Sequence, residues 1–332
     1  MRRQIGAKIT GVATYLPPRR VTNDDLEKIL GVTDEWIRTR TGILERRYAA
    51  PGVACSHLAS AAALRLLQEK EVSPDEIDLI IVATVTPDMQ FPATACLVQH
   101  SIGAKKAWGF DLIAACSGLL YGLSAAAQFV IGGLHRKVMV IGADVMTSIL
   151  DFQDRSTCPL FGDGAGAVLV EPAEPDEDGI LDFVGRIDGA GGACLRLPAG
   201  GSLLPASHET VSGRLHYVKQ RGSQVFKHAV EGMYEAFEQL RERNGFHVND
   251  LDLVVPHQAN VRILQVLQKR LGLDDSRIMV NLERCGNTAA ATIALALQEA
   301  LDTKRLKKGD LVMLLAVGAG FSGGGMLLRW AY

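Results

Sequence analysis

Cys116 is the residue of this chain whose setting most favours nucleophilic chemistry. It lies in the segment Ala115-Cys116-Ser117-Gly118, where an apolar strand passes into a long uncharged stretch. A thiol at the start of a helix meets the positive end of the helix dipole, which favours the thiolate. The small neighbours also leave room for a substrate. A buried cysteine that only fills space is the competing interpretation.

His257 and Asn287 are the candidate partners of that thiol. His257 follows an apolar run at 253–256, and active sites of α/β proteins collect at the carboxyl ends of strands. Asn287 stands at the start of a second uncharged stretch, a place nearly equivalent to that of Cys116. By residue type alone, a structural histidine and an ordinary N-cap asparagine remain the alternatives.

The elements that must position these residues read as an α/β fold, because short apolar strands alternate with amphipathic helices. Strands are predicted at 78–84, 138–142 and 165–170.

The second part of the sequence repeats the first. The pattern of 76–81 returns at 250–255, and that of 137–141 returns at 311–315 by the same offset. The uncharged stretch after Cys116 likewise has a counterpart at 286–298. Three patterns that return in the same order along the chain predict a duplication. The fold would then have two similar halves, with their small-residue helices buried between sheets.

Two glycine-rich segments resemble phosphate or nucleophile motifs. The segment 162–166 precedes a predicted strand, so it is not a phosphate-binding loop. The segment 318–324 matches both G-x-G-x-x-G and G-x-S-x-G, but each motif needs a following helix and the remaining residues predict a strand. We therefore expect a turn whose backbone amides line a pocket.

The composition excludes several classes of protein. With 35 basic and 37 acidic residues, the chain lacks the basic field of a nucleic-acid binder. A hydrophobic content of 48% argues against general disorder. The six scattered cysteines predict neither a metal site nor a disulfide framework. We expect a cytoplasmic protein, since the first residues lack the apolar run of a signal peptide.

The uncharged stretch 112–134 is long enough to span a bilayer. It contains several polar residues and glycines, however, and lacks flanking collars of basic or aromatic residues. A helix buried in a large protein core is the preferred interpretation, and no membrane association is expected.

Three short motifs together resemble the beta-ketoacyl-ACP synthase III family of the thiolase-like superfamily. They are Ala115-Cys116-Ser117-Gly118, His257-Gln258-Ala259-Asn260 and Gly286-Asn287-Thr288, and the resemblance covers nearly the whole chain. It implies a thiolase-like fold, a duplicated αβαβα layered core with two pseudo-symmetric halves, here 1–176 and 177–332. It also implies a homodimer without cofactor or metal. The implied reaction joins a short acyl-CoA, acetyl-CoA first, to malonyl-ACP with loss of carbon dioxide, and so starts fatty acid synthesis.

The resemblance also assigns roles to residues. Cys116 would carry the acyl group, while His257 and Asn287 would hydrogen-bond the thioester oxygen of malonyl-ACP. The amides of Cys116 and of the Gly318–Gly320 turn would hold the acyl oxyanion. The remaining implied contacts are Trp36, Arg40 and Arg155 for CoA, Phe91 across the dimer interface, and the thioester-arm positions Ser223 and Ala319, where many relatives carry Asn and Gly.

The charge pattern predicts a docking surface for the acidic acyl carrier protein. No acidic residue occurs between Glu209 and Glu231, or between Asp252 and Asp274, although seven Lys and Arg residues do. Such basic surfaces attract acidic partners, although an ordinary solvated face is the alternative. The predicted carrier-protein contacts are Gln258, Arg262, Lys269, Arg270 and Lys227.

Three other functions remain open on the sequence alone. A relative in secondary metabolism would use a different acyl starter. A thiol hydrolase of the papain type shares the Cys-His-Asn order, although the motifs around the three residues are those of condensing enzymes. A non-catalytic acyl-binding protein would not need the complete triad.

Overall fold

The computed structural model describes residues 6–174, 177 and 179–332. The first five residues, on which the expectation of a missing signal peptide depends, lie outside the described residues. Asp176, where the two halves were predicted to divide, lies outside them as well. The division at that residue therefore stays a prediction.

The N-terminal half is built on a five-stranded mixed sheet. Its strand order is β1-β7-β6-β4-β5, with parallel pairing of β4 to both β5 and β6 and antiparallel pairing of β7 to β1 and β6. β7 extends three residues beyond its predicted end at position 170. The strands are β1 (Gly6–Tyr15), β4 (Leu79–Ala83), β5 (Trp108–Leu112), β6 (Val138–Asp144) and β7 (Gly164–Ala173).

The C-terminal half is built on a four-stranded sheet in the order β11-β12-β13-β8. The parallel pair is β11 with β12, and the other pairs are antiparallel. Two small two-stranded sheets pair β2 with β3 and β9 with β10. The strands are β2 (Arg19–Thr22), β3 (Glu45–Tyr48), β8 (Ile180–Ile187), β9 (Leu195–Arg196), β10 (Lys219–Gln220), β11 (Leu253–Pro256), β12 (Leu311–Gly318) and β13 (Ser322–Arg329).

The α-helices cover the sheets and fill the space between them. Many begin and end at residues suited to capping. For example, the Asn260 side chain accepts from Arg262 N at the start of α8, and Gly272 ends that helix with a φ of 71°. The helices are α1 (Asn23–Leu30), α2 (Asp34–Thr41), α3 (Cys55–Glu69), α4 (Thr94–Ile102), α5 (Gly118–Ile131), α6 (His208–Ser212), α7 (Gly222–Asn244), α8 (Val261–Leu271), α9 (Leu282–Cys285) and α10 (Thr292–Asp302).

The structure carries the repeat seen in the sequence. β1, β4 and α5 recur as β8, β11 and α10, respectively, each pair separated by the same offset along the chain as the sequence patterns. The two sheets also share the order of four equivalent strands. The fold is α/β and thiolase-like, as predicted, and matches solved structures of that fold closely.

The helices α5 and α10 lie in the central layer, where they share one hydrophobic core with strands of both sheets. Small residues allow the close approach: a Cβ added at Gly166 of β7 would lie 2.2 Å from Ala294 Cβ of α10. α5 occupies most of the uncharged stretch. Among the described residues, no helix has both the length and the apolar character needed to cross a membrane.

Candidate active site

Cys116 lies in a short 3-10 turn, Ala115–Ser117, that leads from β5 into α5. Its side chain is buried, with 7% of its surface exposed. Burial, and secondly the Asp144 carboxylate, raises the pKa of the Cys116 thiol to about 12. This direction is opposite to the thiolate preference expected from the position of Cys116 at a helix start, and burial is its main cause. Cys116 is a thiol that must lose its proton as it attacks.

His257 directly follows β11, as the sequence predicts, and is buried. Its Nδ1 lies 2.6 Å from the Thr292 hydroxyl at the start of α10. Burial lowers the pKa of His257 to about 3, so the imidazole is neutral near pH 7. Since Nδ1 is held by Thr292, Nε2 is the ring nitrogen that can face a substrate.

Asn287 is buried in the connection before α10, and its backbone and side chain are both fixed. Its backbone N–H donates to Leu160 O at 2.9 Å, and its backbone oxygen accepts from Gly162 N at 3.0 Å. The side-chain oxygen accepts from Ala289 N at 2.9 Å. Because its acceptor atom is occupied, the Asn287 side chain can offer its amide N–H groups to a ligand.

The glycine-rich turn 318–321 joins β12 to β13, and no helix follows it, as predicted. Gly318 approaches the nucleophile: an added Cβ there would lie 2.7 Å from Cys116 N and 2.9 Å from Ala114 O. Gly320 has a φ of 143°, which glycine adopts readily. The backbones of the two halves thus meet beside the Cys116 amide.

The three motif residues share one cavity. Cys116, His257 and Asn287 line a space of about 120 Å³, together with Gly318 and Phe321. The structure therefore brings together side chains from positions 116, 257 and 287. The cavity holds a thiol, a neutral imidazole and an amide, a donor set for acyl transfer rather than metal binding. The described residues contain no cluster of three or more metal-ligating side chains.

An outer cavity of about 460 Å³ adjoins the first and shares Leu160, Phe226 and Asn260 with it. It is lined by four of the predicted substrate-binding residues and by Arg262. The Arg40 guanidinium lies 4.5 Å from the Trp36 ring centre. The predicted residues in its lining are Trp36, Arg40, Arg155 and Ser223.

A third cavity of about 160 Å³, called the inner cavity, also has Cys116 in its lining. Its lining is mostly apolar and includes Ala319, Val85 and Met146. Phe91 is 83% exposed and does not belong to the lining of any of these three cavities.

The predicted carrier-protein contacts do not share one environment. The prediction for Gln258 is wrong, because this side chain is 1% exposed. Its amide donates to Pro256 O and Met279 O, and its oxygen accepts from Asn281 N. Gln258 therefore stabilises the connection after β11 and cannot touch a partner protein.

Acidic residues lie close to some of the basic residues in the two segments that contain no acid, 210–230 and 253–273. Arg270 pairs with Glu231 at 2.8 Å and stacks on Tyr234. Arg262 is exposed and donates to Thr39 O at the rim of the outer cavity. Lys227 and Lys269 are exposed as well. The basic surface is thus smaller than the sequence predicts.

Two residues that position the site were missed by the sequence analysis. Thr292 holds His257, and Asp144 accepts hydrogen bonds from both halves of the chain. Neither position has a motif of its own. The offset of the repeat could have pointed to Asp144, because it pairs this residue with Gly318 at the end of the equivalent strand.

Comparisons of sequence and of structure with known proteins point to a single family. Models of the 3-oxoacyl-(acyl-carrier-protein) synthase III family match residues 110–196 and, for its C-terminal part, 241–330. A beta-ketoacyl-(acyl-carrier-protein) synthase III from Solibacter usitatus is 56% identical over 328 residues, covering 98% of this chain and 99% of that protein. The protein of that name from Chlorobaculum tepidum is 50% identical over 326 residues, covering 98% and 99%. The crystal structure of 3-oxoacyl-(acyl-carrier-protein) synthase III from Aquifex aeolicus is 42% identical, with a TM-score of 0.90, and covers 98% of this chain and 100% of that one.

Proposed function

This chain belongs to the beta-ketoacyl-ACP synthase III family of thiolase-like condensing enzymes. We propose that Cys116, His257 and Asn287 carry out the reaction of that family. The enzyme is an acyltransferase whose condensation initiates fatty acid biosynthesis. The single observation that supports the residue assignment is the shared cavity lined by all three side chains. An acyl carrier protein and an acyl-CoA are the substrates that the family name and activity imply.

The first half of the reaction acylates Cys116. Its sulfur attacks the thioester carbon of an acyl-CoA, the bond from that carbon to the CoA sulfur breaks, and the thiol proton passes to the departing CoA sulfur. The Cys116 and Gly318–Gly320 amides stabilise the tetrahedral oxyanion, a contribution that is large in such enzymes.

The second half uses His257 and Asn287. Malonyl-ACP loses carbon dioxide, and the negative charge moves onto its thioester oxygen. The Asn287 amide and His257 Nε2 donate to that oxygen, where preorganised donors in a buried site are most effective. The resulting carbanion attacks the acyl carbon, and the bond to Cys116 sulfur breaks to release the 3-oxoacyl-ACP. The Cys116 thiolate that leaves takes up one proton from solvent, which restores the thiol.

We further assign acetyl-CoA as the preferred starter. The mostly apolar lining and the small volume of the inner cavity beside Cys116 suit a short acyl chain. CoA would lie along the outer cavity, where Trp36, Arg40 and Arg155 offer an aromatic face and two guanidinium groups to its base and phosphates. Arg262, Lys227 and Lys269 would contact the carrier protein.

The working form that we propose is a cytoplasmic homodimer. β5 is the edge strand of the first sheet, and apolar side chains near it are exposed, with Phe91 at 83% and Ile113 at 79%. Such a surface favours burial against a second copy.

The cysteines support the proposed compartment. All six are free thiols, which suits a reducing environment such as the cytoplasm.

Intact mass spectrometry tests the assignment of the nucleophile. We expect incubation with acetyl-CoA to add one acetyl group, and subsequent malonyl-ACP to remove it as acetoacetyl-ACP. The Cys116→Ala variant should take up no acetyl group, while Cys285→Ala, which removes another buried thiol near Asn287, should be acetylated normally. Condensation by Cys116→Ala would disprove the assignment. Acylation by a longer or branched acyl-CoA in preference to acetyl-CoA would disprove only the starter.

A further inference from the structure

Asp144, the last residue of β6, is a fully buried carboxylate that joins the two halves. One oxygen accepts from Val85 N at 2.8 Å and from the hydroxyls of Thr84 and Thr86, each at 3.0 Å. The other accepts from Ala290 N at 3.1 Å. Asp144 forms no ion pair among the described residues. A buried charge of this kind is stabilised by its hydrogen bonds alone.

The repeat allows the surroundings of Asp144 to be compared with the equivalent place in the other half of the repeat. Ala115 and Ala289 are equivalent positions of the two halves, and both have a φ of 47° at the start of a 3-10 turn. The next residues, Cys116 and Ala290, therefore present equivalent backbone N–H groups. Cys116 N faces Gly318 at the end of β12, and Ala290 N faces Asp144 at the end of β6.

We propose that Asp144 is a positioning residue for the decarboxylation step, and that its carboxylate takes, in one half, the place that the acyl oxyanion takes in the other. The proposal rests on the roles given above to Cys116, His257 and Asn287. Duplication created two equivalent N–H donors at the starts of two central turns. One serves the substrate, and the other is occupied permanently by a side chain of the protein itself.

The contacts of Ala290 show how Asp144 reaches the reaction. The preceding residue, Ala289, donates to the Asn287 side-chain oxygen at 2.9 Å. Two residues further on, the Thr292 hydroxyl lies 2.6 Å from His257 Nδ1. By holding Ala290, Asp144 fixes the short segment that orients both groups proposed to stabilise the enolate.

Acylation depends on Asp144 less directly. Cys116 belongs to the 3-10 turn Ala115–Ser117, and none of the described hydrogen bonds of Asp144 reaches that turn. The carboxylate in fact opposes thiolate formation, since it contributes to the raised pKa of Cys116. Its hydrogen bond to Ala290 N instead places the effect of the acid on the segment 287–292.

The Asp144→Asn variant separates the two steps. An asparagine keeps one acceptor oxygen. That oxygen would accept from the three donors that now bind one carboxylate oxygen, namely Val85 N and the hydroxyls of Thr84 and Thr86. Its amide group then faces Ala290 N, which is also a donor, so the segment must shift. We expect release of carbon dioxide from malonyl-ACP to fall about ten-fold or more. Acetylation of Cys116 by acetyl-CoA and the KM for malonyl-ACP should each stay within about three-fold.

Thr84→Val is the matched control, because it removes one donor to the same carboxylate and leaves the bond to Ala290. It should keep the ratio of decarboxylation to acetylation of the unsubstituted enzyme. If thermal melting shows that Asp144→Asn does not fold, Asp144→Ser takes its place, because the serine side chain brings no amide group against Ala290 N. We expect the same selective loss of decarboxylation in Asp144→Ser. An equal loss of both steps in a folded Asp144 variant, or a selective loss in Thr84→Val, would overturn the proposal. Failure of the unsubstituted enzyme to be acetylated would instead count against the proposed function alone.

Discussion

His257 Nδ1 and the Thr292 hydroxyl lie 2.6 Å apart in a region closed to solvent, and this contact fixes the face that the imidazole turns to the cavity. The hydroxyl has a second possible acceptor, Ala289 O, at 3.2 Å. The role proposed for His257 requires the Thr292 proton to point to Nδ1 and not to Ala289 O. The proton of the neutral ring then resides on Nε2, where it can be donated to a substrate oxygen.

Replacement of Thr292 should therefore weaken catalysis without removing a catalytic group. In Thr292→Val, the shape is kept but Nδ1 loses its buried partner, which costs about 1–3 kcal/mol. We expect kcat for condensation to fall about 5- to 100-fold, with the KM for malonyl-ACP little changed. Steady-state kinetics of the variant measure both values. Thr292→Ser keeps the hydroxyl and should retain most of the activity; equal losses in both variants would exclude the hydrogen bond as the cause.

Gly318 gives a second prediction, because its backbone meets that of Cys116. A methyl group at this position would lie 2.7 Å from Cys116 N, so Gly318→Ala must move the amide proposed to bind the oxyanion. Loss of such a donor lowers kcat by about 100- to 1,000-fold. The measurement is the rate of acetylation of Cys116 by rapid-quench mass spectrometry.

The control for Gly318 is Gly201→Ala. An added Cβ at Gly201 has no neighbour within 4 Å, and this glycine does not have a positive φ. Its substitution should leave acetylation unchanged. Normal acetylation of a correctly folded Gly318→Ala variant would show that the Cys116 amide tolerates the displacement.

The basic surface gives a third prediction. Lys269 is exposed, whereas the neighbouring Arg270 is held by Glu231. Lys269→Ala should raise the KM for malonyl-ACP about three-fold or more at low salt and reduce its salt dependence, because exposed charges mainly steer encounter. The KM for acetyl-CoA should not change.

Lys307→Ala is the matched control, since Lys307 is exposed but lies before the start of β12, at the end of that strand remote from Gly318. Kinetics at two salt concentrations compare the variants. An equal effect of both substitutions on malonyl-ACP would indicate a general charge effect and argue against a docking site at Lys269.

Much of the fold could be predicted, because the repeat and the strand pattern are local properties of the sequence. The offset of the repeat places β4 opposite β11 and Ala115 opposite Ala289. Cys116, His257 and Asn287 were found because each belongs to a distinctive motif. The equivalence of Cys116 and Asn287 is only approximate, since Ala290 is the true counterpart of Cys116.

The rest depends on contacts between distant segments, which a linear pattern does not record. Gln258 adjoins His257 and reads as a surface residue, yet three backbone groups bury its amide. Arg270 reads as part of an acid-free window, yet Glu231 on α7 neutralises it. The raised pKa of Cys116 likewise follows mainly from burial among residues that are distant in the sequence.

The depressed pKa of His257 gives a prediction for stability. In the folded protein burial lowers this pKa to about 3, whereas an unfolded chain binds the proton near pH 6.5. Between these values the unfolded state holds more protons, so the stabilisation is present above about pH 6.5 and is lost as the pH falls. The free energy of unfolding should decrease by at most about 1.4 kcal/mol for each pH unit through this group.

Asp144 acts in the opposite direction, which determines how the experiment must be designed. Burial raises its pKa to about 6, so between about pH 6 and pH 4 the folded state binds more protons and this group adds stability as the pH falls. The two effects partly cancel in the unsubstituted protein. Denaturant unfolding of His257→Asn should therefore be compared with the unsubstituted protein at each pH from 7.5 to 4.5. The stability of the variant relative to the unsubstituted protein should increase steadily below pH 6.5. A difference independent of pH would show that folding does not change the pKa of His257.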